Sequence, residues 1–388
     1  MTNADHLEAR RPAIGALAGR CRRAARLGES RPAHAARWPA VGHLLSLVAL
    51  CAVSTTAWAQ TESPPIVANA PKVRIEHIVI HSRQIEGNLL ATSPDRPVTV
   101  ILPPSYDRQS GRRYPVVYAL HGFTSTAQRW LDQLHAPDTI EAAFAKGTPE
   151  MILVFPSSEN AYGGAFYSNS PTTGNFENFV ADELVDYVDQ HYRSIARPAS
   201  RGLTGHSMGG YGAARIGMHR AERFGAVYLM SPCCLAPVGT QGLTSKEVAA
   251  IAAMRSPADA AGAEFRIQGP LATAAAWAPN PAAPPMFVDL ATDDKGQPRA
   301  DILAKRAANA PLAFVDQYIG PLRRYRAIGM DVGDQDSIVT DLTKLSNVLK
   351  AYGIAHQFDV YRGTHTSRVA FRFEDYVLPF FGRSLRSK

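Results

Sequence analysis

Apolar runs separated by amphipathic segments organise the chain from about residue 72 onward. The alternating run Val73–Ile80 predicts a half-buried edge strand. Continuous apolar runs such as Pro115–Leu120 and Met151–Phe155 predict strands that are buried on both faces. The remaining predicted strands are Val98–Leu102, Ser200–Thr204, Ala226–Met230, Tyr325–Met330 and Gln357–Tyr361.

Segments with helical periodicity lie between and after these strands. In Phe176–His191 the apolar residues form one stripe, which is typical of a helix packed on a sheet. The other predicted helices are Thr139–Lys146, Tyr211–Met218 and Ser337–Leu349. Because apolar strands alternate with helices, the pattern predicts an α/β fold with a mostly parallel central sheet flanked by helices.

Residues 236–321, rich in alanine and proline, interrupt this alternation. The segment contains one strand-like run, Met286–Leu290, and helical signals at Ala300–Ala308 and Leu312–Tyr318. We interpret it as an insertion that forms a cap over the catalytic face of the sheet. The alternative is an elaboration elsewhere on the surface.

The N-terminal 59 residues have the order of a secretory signal peptide. An arginine-rich stretch precedes the apolar run Val41–Val53, and Ala57–Ala59 forms an A-x-A cleavage site. The apolar run is short for a membrane span, which needs about 20 residues. We therefore predict cleavage after Ala59 and a secreted or periplasmic protein with no stable membrane insertion afterwards, the alternative being a retained membrane anchor. Residues 60–71 then form a linker and residues 72–388 the folded domain.

The leader also explains most of the formal net charge of +7. Its eight arginines against three acidic residues leave +5, so the rest of the chain carries only about +2. No basic stripe with interleaved aromatic residues follows, which argues against a nucleic-acid partner.

The segment Gly205–Gly210 carries the strongest chemical signal. It contains a G-x-S-x-G pattern between a predicted strand and a predicted helix, and a serine on such a sharp turn has an accessible hydroxyl. Glycines are needed there because side chains would clash in so tight a turn. We predict that Ser207 is a nucleophile, the alternative being a glycine-rich turn with an exposed serine.

A serine nucleophile needs a base, and an acid that orients the base. His365 follows the last predicted strand and so lies at the catalytic edge, whereas His356 precedes that strand. Three aspartates compete for the acid. The Gly-x-x-Asp spacing favours Asp336, while Asp334 and Asp331 remain alternatives, and each could instead brace the loop or cap a helix.

The oxyanion of the tetrahedral intermediate needs preorganised N–H donors. The backbone N–H groups of Met208, at the helix start, and of Phe123, after the strand that ends at Leu120, are the predicted donors. His121 is interpreted as bracing this loop, and His206 as packed rather than catalytic.

Three aromatic residues, Tyr162, Phe166 and Tyr167, either line a substrate pocket or pack in the core. The adjacent Cys233 and Cys234 form either a strained disulfide or two thiols. No cysteine or histidine spacing indicates a metal site, and no cofactor is expected.

Several motifs together resemble the esterase D-like branch of α/β-hydrolases, which includes S-formylglutathione hydrolases, feruloyl and short-chain acyl esterases, and mycobacterial mycolyltransferases. The similarity covers roughly residues 75–235 and 323–382. The motifs are Tyr114–Gly122, Phe166–Phe176, Asp182–Asp189, Arg201–Gly210, Asp331–Asp336 and His365.

This resemblance implies an α/β-hydrolase fold and cofactor-free hydrolysis of carboxylic esters through an acyl-serine intermediate. By position it implies Ser207 as nucleophile, Asp336 as acid and His365 as base. The sequence thus predicts an exported serine carboxylesterase that acts on a small-molecule or polymeric ester. An acyltransferase of the same fold and a non-catalytic binding protein are the alternatives.

Overall fold

The computed structural model describes residues 62–237 and 242–388. The predicted signal peptide lies outside these residues, and of the predicted linker only residues 62–71 are described, without helix or strand. Among the helices of the described part, none is both long and apolar enough to cross a bilayer.

A single large sheet forms the centre of the described chain. Its strands are β1 (Arg74–His81), β2 (Asp95–Leu102), β3 (Val116–Leu120), β4 (Ile152–Pro156), β7 (Arg201–His206), β8 (Ala226–Met230), β9 (Ala327–Gly333) and β10 (Gln357–Tyr361), while β5 (Asn169–Ser170) and β6 (Gly174–Asn175) pair separately. The spatial order is β1-β2-β4-β3-β7-β8-β9-β10. β1 and β2 are antiparallel to their neighbours, and the other six strands run parallel.

Helices cover both faces of this sheet. They are α1 (Ala127–Gln133), α2 (Asp138–Ala145), α3 (Phe176–Asn178), α4 (Leu184–His191), α5 (Met208–His219), α6 (Ser245–Ala252), α7 (Phe265–Trp277), α8 (Ala300–Ala308), α9 (Pro311–Phe314), α10 (Ile319–Leu322), α11 (Val339–Ala351), α12 (Val369–Arg372) and α13 (Leu378–Ser384). In β3 the side chains of Tyr118 and Leu120 enter one apolar core, and those of Val117 and Ala119 enter the other. Strands buried on both faces explain the continuous apolar runs.

The predicted α/β architecture with a mostly parallel sheet is confirmed, and β1 is an edge strand as predicted. The single predicted helix Phe176–His191 is instead two α-helical segments, α3 and α4, joined by a π-helical turn at Phe179–Glu183.

The strand predicted at Met286–Leu290 is wrong. Only Val288 forms a bridge there, to Pro279. Phe287 has a φ of +54°, a left-handed conformation that interrupts extended backbone. Pro284 and Pro285 precede the run and carry no N–H groups for a strand ladder.

The segment between β8 and β9 contains α6 to α10 and lies against the site described below. The Tyr162 hydroxyl donates to the Met286 carbonyl at 2.9 Å, and the Trp277 indole N–H donates to Ser168 Oγ at 3.2 Å. The Tyr211 hydroxyl on α5 donates to the Asn309 carbonyl at 2.9 Å. These bonds attach the inserted segment to the loop before β5 and to the helix that follows Ser207.

Candidate active site

Ser207 lies in a sharp turn between β7 and α5. Its φ of +56° is unusual for a residue with a side chain, and such strain persists where the surrounding structure imposes it. An added Cβ would lie 2.3 Å from the Gly209 carbonyl oxygen if placed on Gly205, and 1.9 Å from the Leu120 carbonyl oxygen if placed on Gly209. Both positions therefore require glycine, because the backbone segments approach too closely for a side chain.

His365 reaches Ser207 from the loop after β10. Its Nε2 lies 2.9 Å from Ser207 Oγ, and its Nδ1 lies 2.7 Å from Asp336 Oδ2. An ionised carboxylate only accepts hydrogen bonds, so Asp336 requires the proton on Nδ1 and leaves Nε2 free to accept the Ser207 proton. The structure thus brings together the three residues that the sequence predicted as nucleophile, base and acid.

The Asp336 carboxylate is buried and held from two sides. Oδ2 accepts from His365, and Oδ1 accepts from the Ile338 backbone N–H at 3.2 Å. Burial opposes ionisation of Asp336, but the hydrogen bonds and the adjacent imidazole outweigh it and hold the pKa of this carboxyl below its usual range. Asp336 is therefore ionised near neutral pH and orients the ring of His365.

The two competing aspartates have other partners. Asp334 Oδ1 accepts from the Gly363 backbone N–H at 3.0 Å, so Asp334 braces the loop that carries His365. Asp331 lies within β9, where its Oδ2 accepts from the Tyr228 hydroxyl at 2.9 Å and from Arg372 Nε at 2.7 Å. Neither carboxylate contacts His365.

The predicted oxyanion donors flank Ser207. Met208 is the first residue of α5, so its N–H has no acceptor within the helix. Phe123 follows Gly122, whose added Cβ would lie 3.6 Å from Ser207 Cβ, so the loop after β3 passes beside the nucleophile. Both residues therefore lie near Ser207, and their role as oxyanion donors stays a prediction.

Two further histidines support the site without contacting Ser207 Oγ. His121 is buried and braces its loop, since its Nε2 accepts from the Ser158 N–H at 2.8 Å. His206 Nε2 donates to the His365 carbonyl oxygen at 2.8 Å. Burial lowers the pKa of His206 to about 3, so the ring is neutral and has a single N–H to donate.

Sequence reasoning assigned His206 only a packing role and missed its contact with the His365 backbone. The available signal was its place in the x position of the turn, next to Ser207.

A cavity of about 400 Å³ opens beside Ser207. Its lining residues are Phe123, Phe166, Ser207, Cys233, Cys234, Gly242, Leu243, Phe265, Arg266, Gly269, Pro270, Thr273, Ala291, Thr292 and Arg306. Most of them belong to the segment between β8 and β9. The inserted segment therefore forms much of the wall around the serine.

Of the three aromatic residues predicted near the substrate, only Phe166 lines this cavity. Tyr162 and Tyr167 are fully buried, and their hydroxyls donate to the carbonyls of Met286 and His121. The substrate-lining interpretation is therefore corrected for Tyr162 and Tyr167, which pack in the core. A buried tyrosine satisfies its hydroxyl within the protein, and sequence alone does not reveal whether such a partner exists.

Cys233 and Cys234 are free thiols whose sulfur atoms lie 2.8 Å apart. The hydrogen bond from Cys234 and burial raise the pKa of Cys233 well above its usual value. Among residues 62–237 and 242–388, no group of three or more potential metal ligands is found.

A mostly parallel sheet with a strained serine between a central strand and a helix is the architecture of α/β-hydrolases. A sequence profile of the putative esterase family matches residues 91–374, and the chain belongs to this family.

Among curated proteins, the chain is similar to an esterase of Mycobacterium tuberculosis, with 35% identity over 123 residues that cover 30% of this chain and 25% of that protein. It is also similar to the S-formylglutathione hydrolase of Paracoccus denitrificans, with 29% identity over 37% of this chain and 53% of that protein. The chain thus spans between about a quarter and a half of these relatives. A solved ferulic acid esterase has the same fold, with a TM-score of 0.59 and 23% identity over 81% of this chain and 99% of that one.

Proposed function

We propose that the protein is an exported serine carboxylesterase that hydrolyses carboxylic esters through an acyl-serine intermediate. The observation that carries the proposal is the continuous hydrogen-bonded series from Ser207 through His365 to Asp336, with contacts of 2.9 and 2.7 Å, beside a cavity of about 400 Å³. Membership of the putative esterase family supports the same reaction.

In the acylation step, Ser207 Oγ attacks the ester carbonyl carbon while His365 Nε2 takes the hydroxyl proton. The imidazolium that forms is stabilised by the ionised Asp336, which contacts Nδ1. The N–H groups of Phe123 and Met208 stabilise the oxyanion, and the positive end of the α5 helix dipole stabilises the same negative charge. His365 then returns the proton to the leaving alcohol as the tetrahedral intermediate collapses.

In the deacylation step, water replaces the alcohol. His365 Nε2 accepts a proton from the water that attacks the acyl carbonyl, and then protonates Ser207 Oγ as the acid leaves. The His206 bond to the His365 carbonyl holds the backbone of the base in place during both steps. Each step needs only groups of this chain, the ester and water.

The reaction is tested by assaying the purified mature protein with ester substrates that range from acetyl to long-chain acyl groups and include aromatic esters. We expect hydrolysis of at least one ester series and covalent labelling by a fluorophosphonate probe, because the probe requires an activated serine. Heat-denatured protein is the control for labelling. Folded protein that neither hydrolyses an ester nor reacts with the probe would overturn the proposal.

Export is the part of the proposal that rests on sequence alone. The order of arginine-rich, apolar and small residues in positions 1–59 is that of a cleaved signal peptide. We expect the mature protein, recovered outside the cytoplasm, to begin at Gln60 when its N-terminus is determined by mass spectrometry. A protein that retains Val41–Val53 and sediments with membranes would instead be anchored.

A further inference from the structure

The cavity beside Ser207 is mainly apolar but contains two cationic side chains. Its aromatic walls are Phe123, Phe166 and Phe265, and Phe265 is exposed at 73% of its surface despite its size. Arg266 and Arg306 line the same cavity. A few polar groups in an apolar pocket usually orient the ligand.

The two arginines differ in how their charge is balanced. Arg266 Nε lies 2.6 Å from Glu247 Oε1, so its charge is already paired. The Arg306 side chain forms no ion pair or hydrogen bond with any residue in the ranges 62–237 and 242–388. Its Nε is buried and has no acceptor.

Several arginines with little exposure in the described chain are paired with acids. Arg215 Nε lies 2.7 Å from Glu177 Oε2, and Arg372 Nε lies 2.7 Å from Asp331 Oδ2. Arg201 pairs with Asp189 through Nη2, while its Nε has no acceptor. Arg306, by contrast, has no acid partner, and it lines the cavity that contains Ser207.

Leaving a guanidinium donor buried without an acceptor is unfavourable. Burial lowers the pKa of Arg306, yet an arginine side chain remains protonated in proteins. A ligand that supplies a planar carboxylate in the cavity would pair with the terminal guanidinium nitrogens of Arg306 through charge-assisted hydrogen bonds. The position of Arg306 in the last turn of α8 also holds the cation where a helix favours positive charge.

We infer that Arg306 recognises a carboxylate on the ester that enters this cavity, an inference that rests on the proposed esterase function. The substrate class is an ester with an apolar body, which contacts the aromatic walls, and a carboxylate remote from the scissile bond. Arg306 is then a specificity-determining residue, and it takes no part in the proton transfers between Ser207 and His365.

Matched ester pairs test the inference and locate the carboxylate. The first pair has the carboxylate on the acyl side: monoethyl adipate is compared with an ethyl ester of equal length that ends in an isopropyl group. The second pair has the carboxylate on the alcohol side: the acetate ester of 6-hydroxyhexanoate is compared with an acetate ester of equal length that ends in an isopropyl group. We expect wild-type kcat/KM to favour the charged member of one pair by about tenfold or more.

Substitutions at Arg306 and at an arginine outside the cavity separate a specific contact from general electrostatic attraction. Arg306→Met is expected to abolish the preference, and Arg306→Lys to keep part of it, because lysine retains the charge without the planar fork. Arg108→Met, at an exposed arginine outside the cavity lining, is the matched control and should keep the wild-type ratio. Thermal unfolding checks that each variant is folded.

A preference that persists in Arg306→Met, or that is absent from both pairs in the wild type, overturns the inference. Calorimetric titration of the Ser207→Ala protein with the same esters provides a measurement independent of turnover. Protein that binds the charged ester preferentially but hydrolyses none contradicts the esterase proposal alone. Protein that hydrolyses esters without a charge preference contradicts the inference alone.

Discussion

Ser207→Ala is expected to lower kcat for ester hydrolysis by roughly 10⁴- to 10⁶-fold and to abolish labelling by a fluorophosphonate. The alanine has no Oγ, so no acyl-enzyme forms, and His365 Nε2 loses the hydroxyl from which it takes a proton. The residual rate reflects only the oxyanion donors and binding in the cavity. Steady-state kinetics on the best ester of the panel provides the measurement.

The matched control for this substitution is Ser110→Ala, at an exposed serine outside the helices and strands. It should keep wild-type kinetics and labelling. Circular dichroism should show that the Ser207→Ala protein is folded. A folded Ser207→Ala protein with undiminished kcat would mean that another group performs the attack, and the proposed mechanism would be wrong.

Asp336→Asn is expected to lower kcat by roughly 10³- to 10⁴-fold with little effect on folding. The asparagine amide can donate to Nδ1 of His365, which would place the ring proton on Nε2. In that tautomer the ring cannot accept the Ser207 proton. The loss of the negative charge also removes the stabilisation of the imidazolium that forms during the attack.

Asp334→Asn is the comparison that assigns the acid. The Asp334 carboxylate accepts from the Gly363 N–H, and an asparagine oxygen can accept the same bond. We therefore expect kcat to change by less than about tenfold. A larger loss in Asp334→Asn than in Asp336→Asn would reverse the assignment. The pH dependence of kcat/KM should also change more in Asp336→Asn, because only this variant alters the base.

Much of the framework follows from local pattern. The buried strands β3, β4 and β8 agree with the predicted runs within one residue at either end, because a strand covered on both faces must be continuously apolar. The turn at Ser207 was also predictable, since its glycines are required by local backbone clashes. The serine, the acid and the histidine each follow a predicted strand, in that order along the chain. This order predicted that the three residues meet at one edge of the sheet.

Other features depended on contacts that sequence does not contain. Tyr162 and Tyr167 looked equivalent to Phe166 in the sequence, yet only Phe166 lines the cavity. The run Met286–Leu290 contains apolar residues typical of a strand, but the left-handed conformation of Phe287 interrupts it. The tyrosine hydroxyls find their partners 124 and 46 residues away in the chain, and the conformation of Phe287 is set by the folded backbone.

The sequence by itself determined the fold class, the position of the Ser207 turn and the edge of the sheet at which His365 lies. Periodicity and tight turns are local properties, and strand ends in a parallel sheet meet at one edge. Only the tertiary structure decided which aspartate contacts His365, that His206 donates to the His365 carbonyl, and that Arg306 lies unpaired in the cavity wall. The first two features depend on which residues the neighbouring strand ends bring together, and the third depends on how the inserted segment packs beside Ser207.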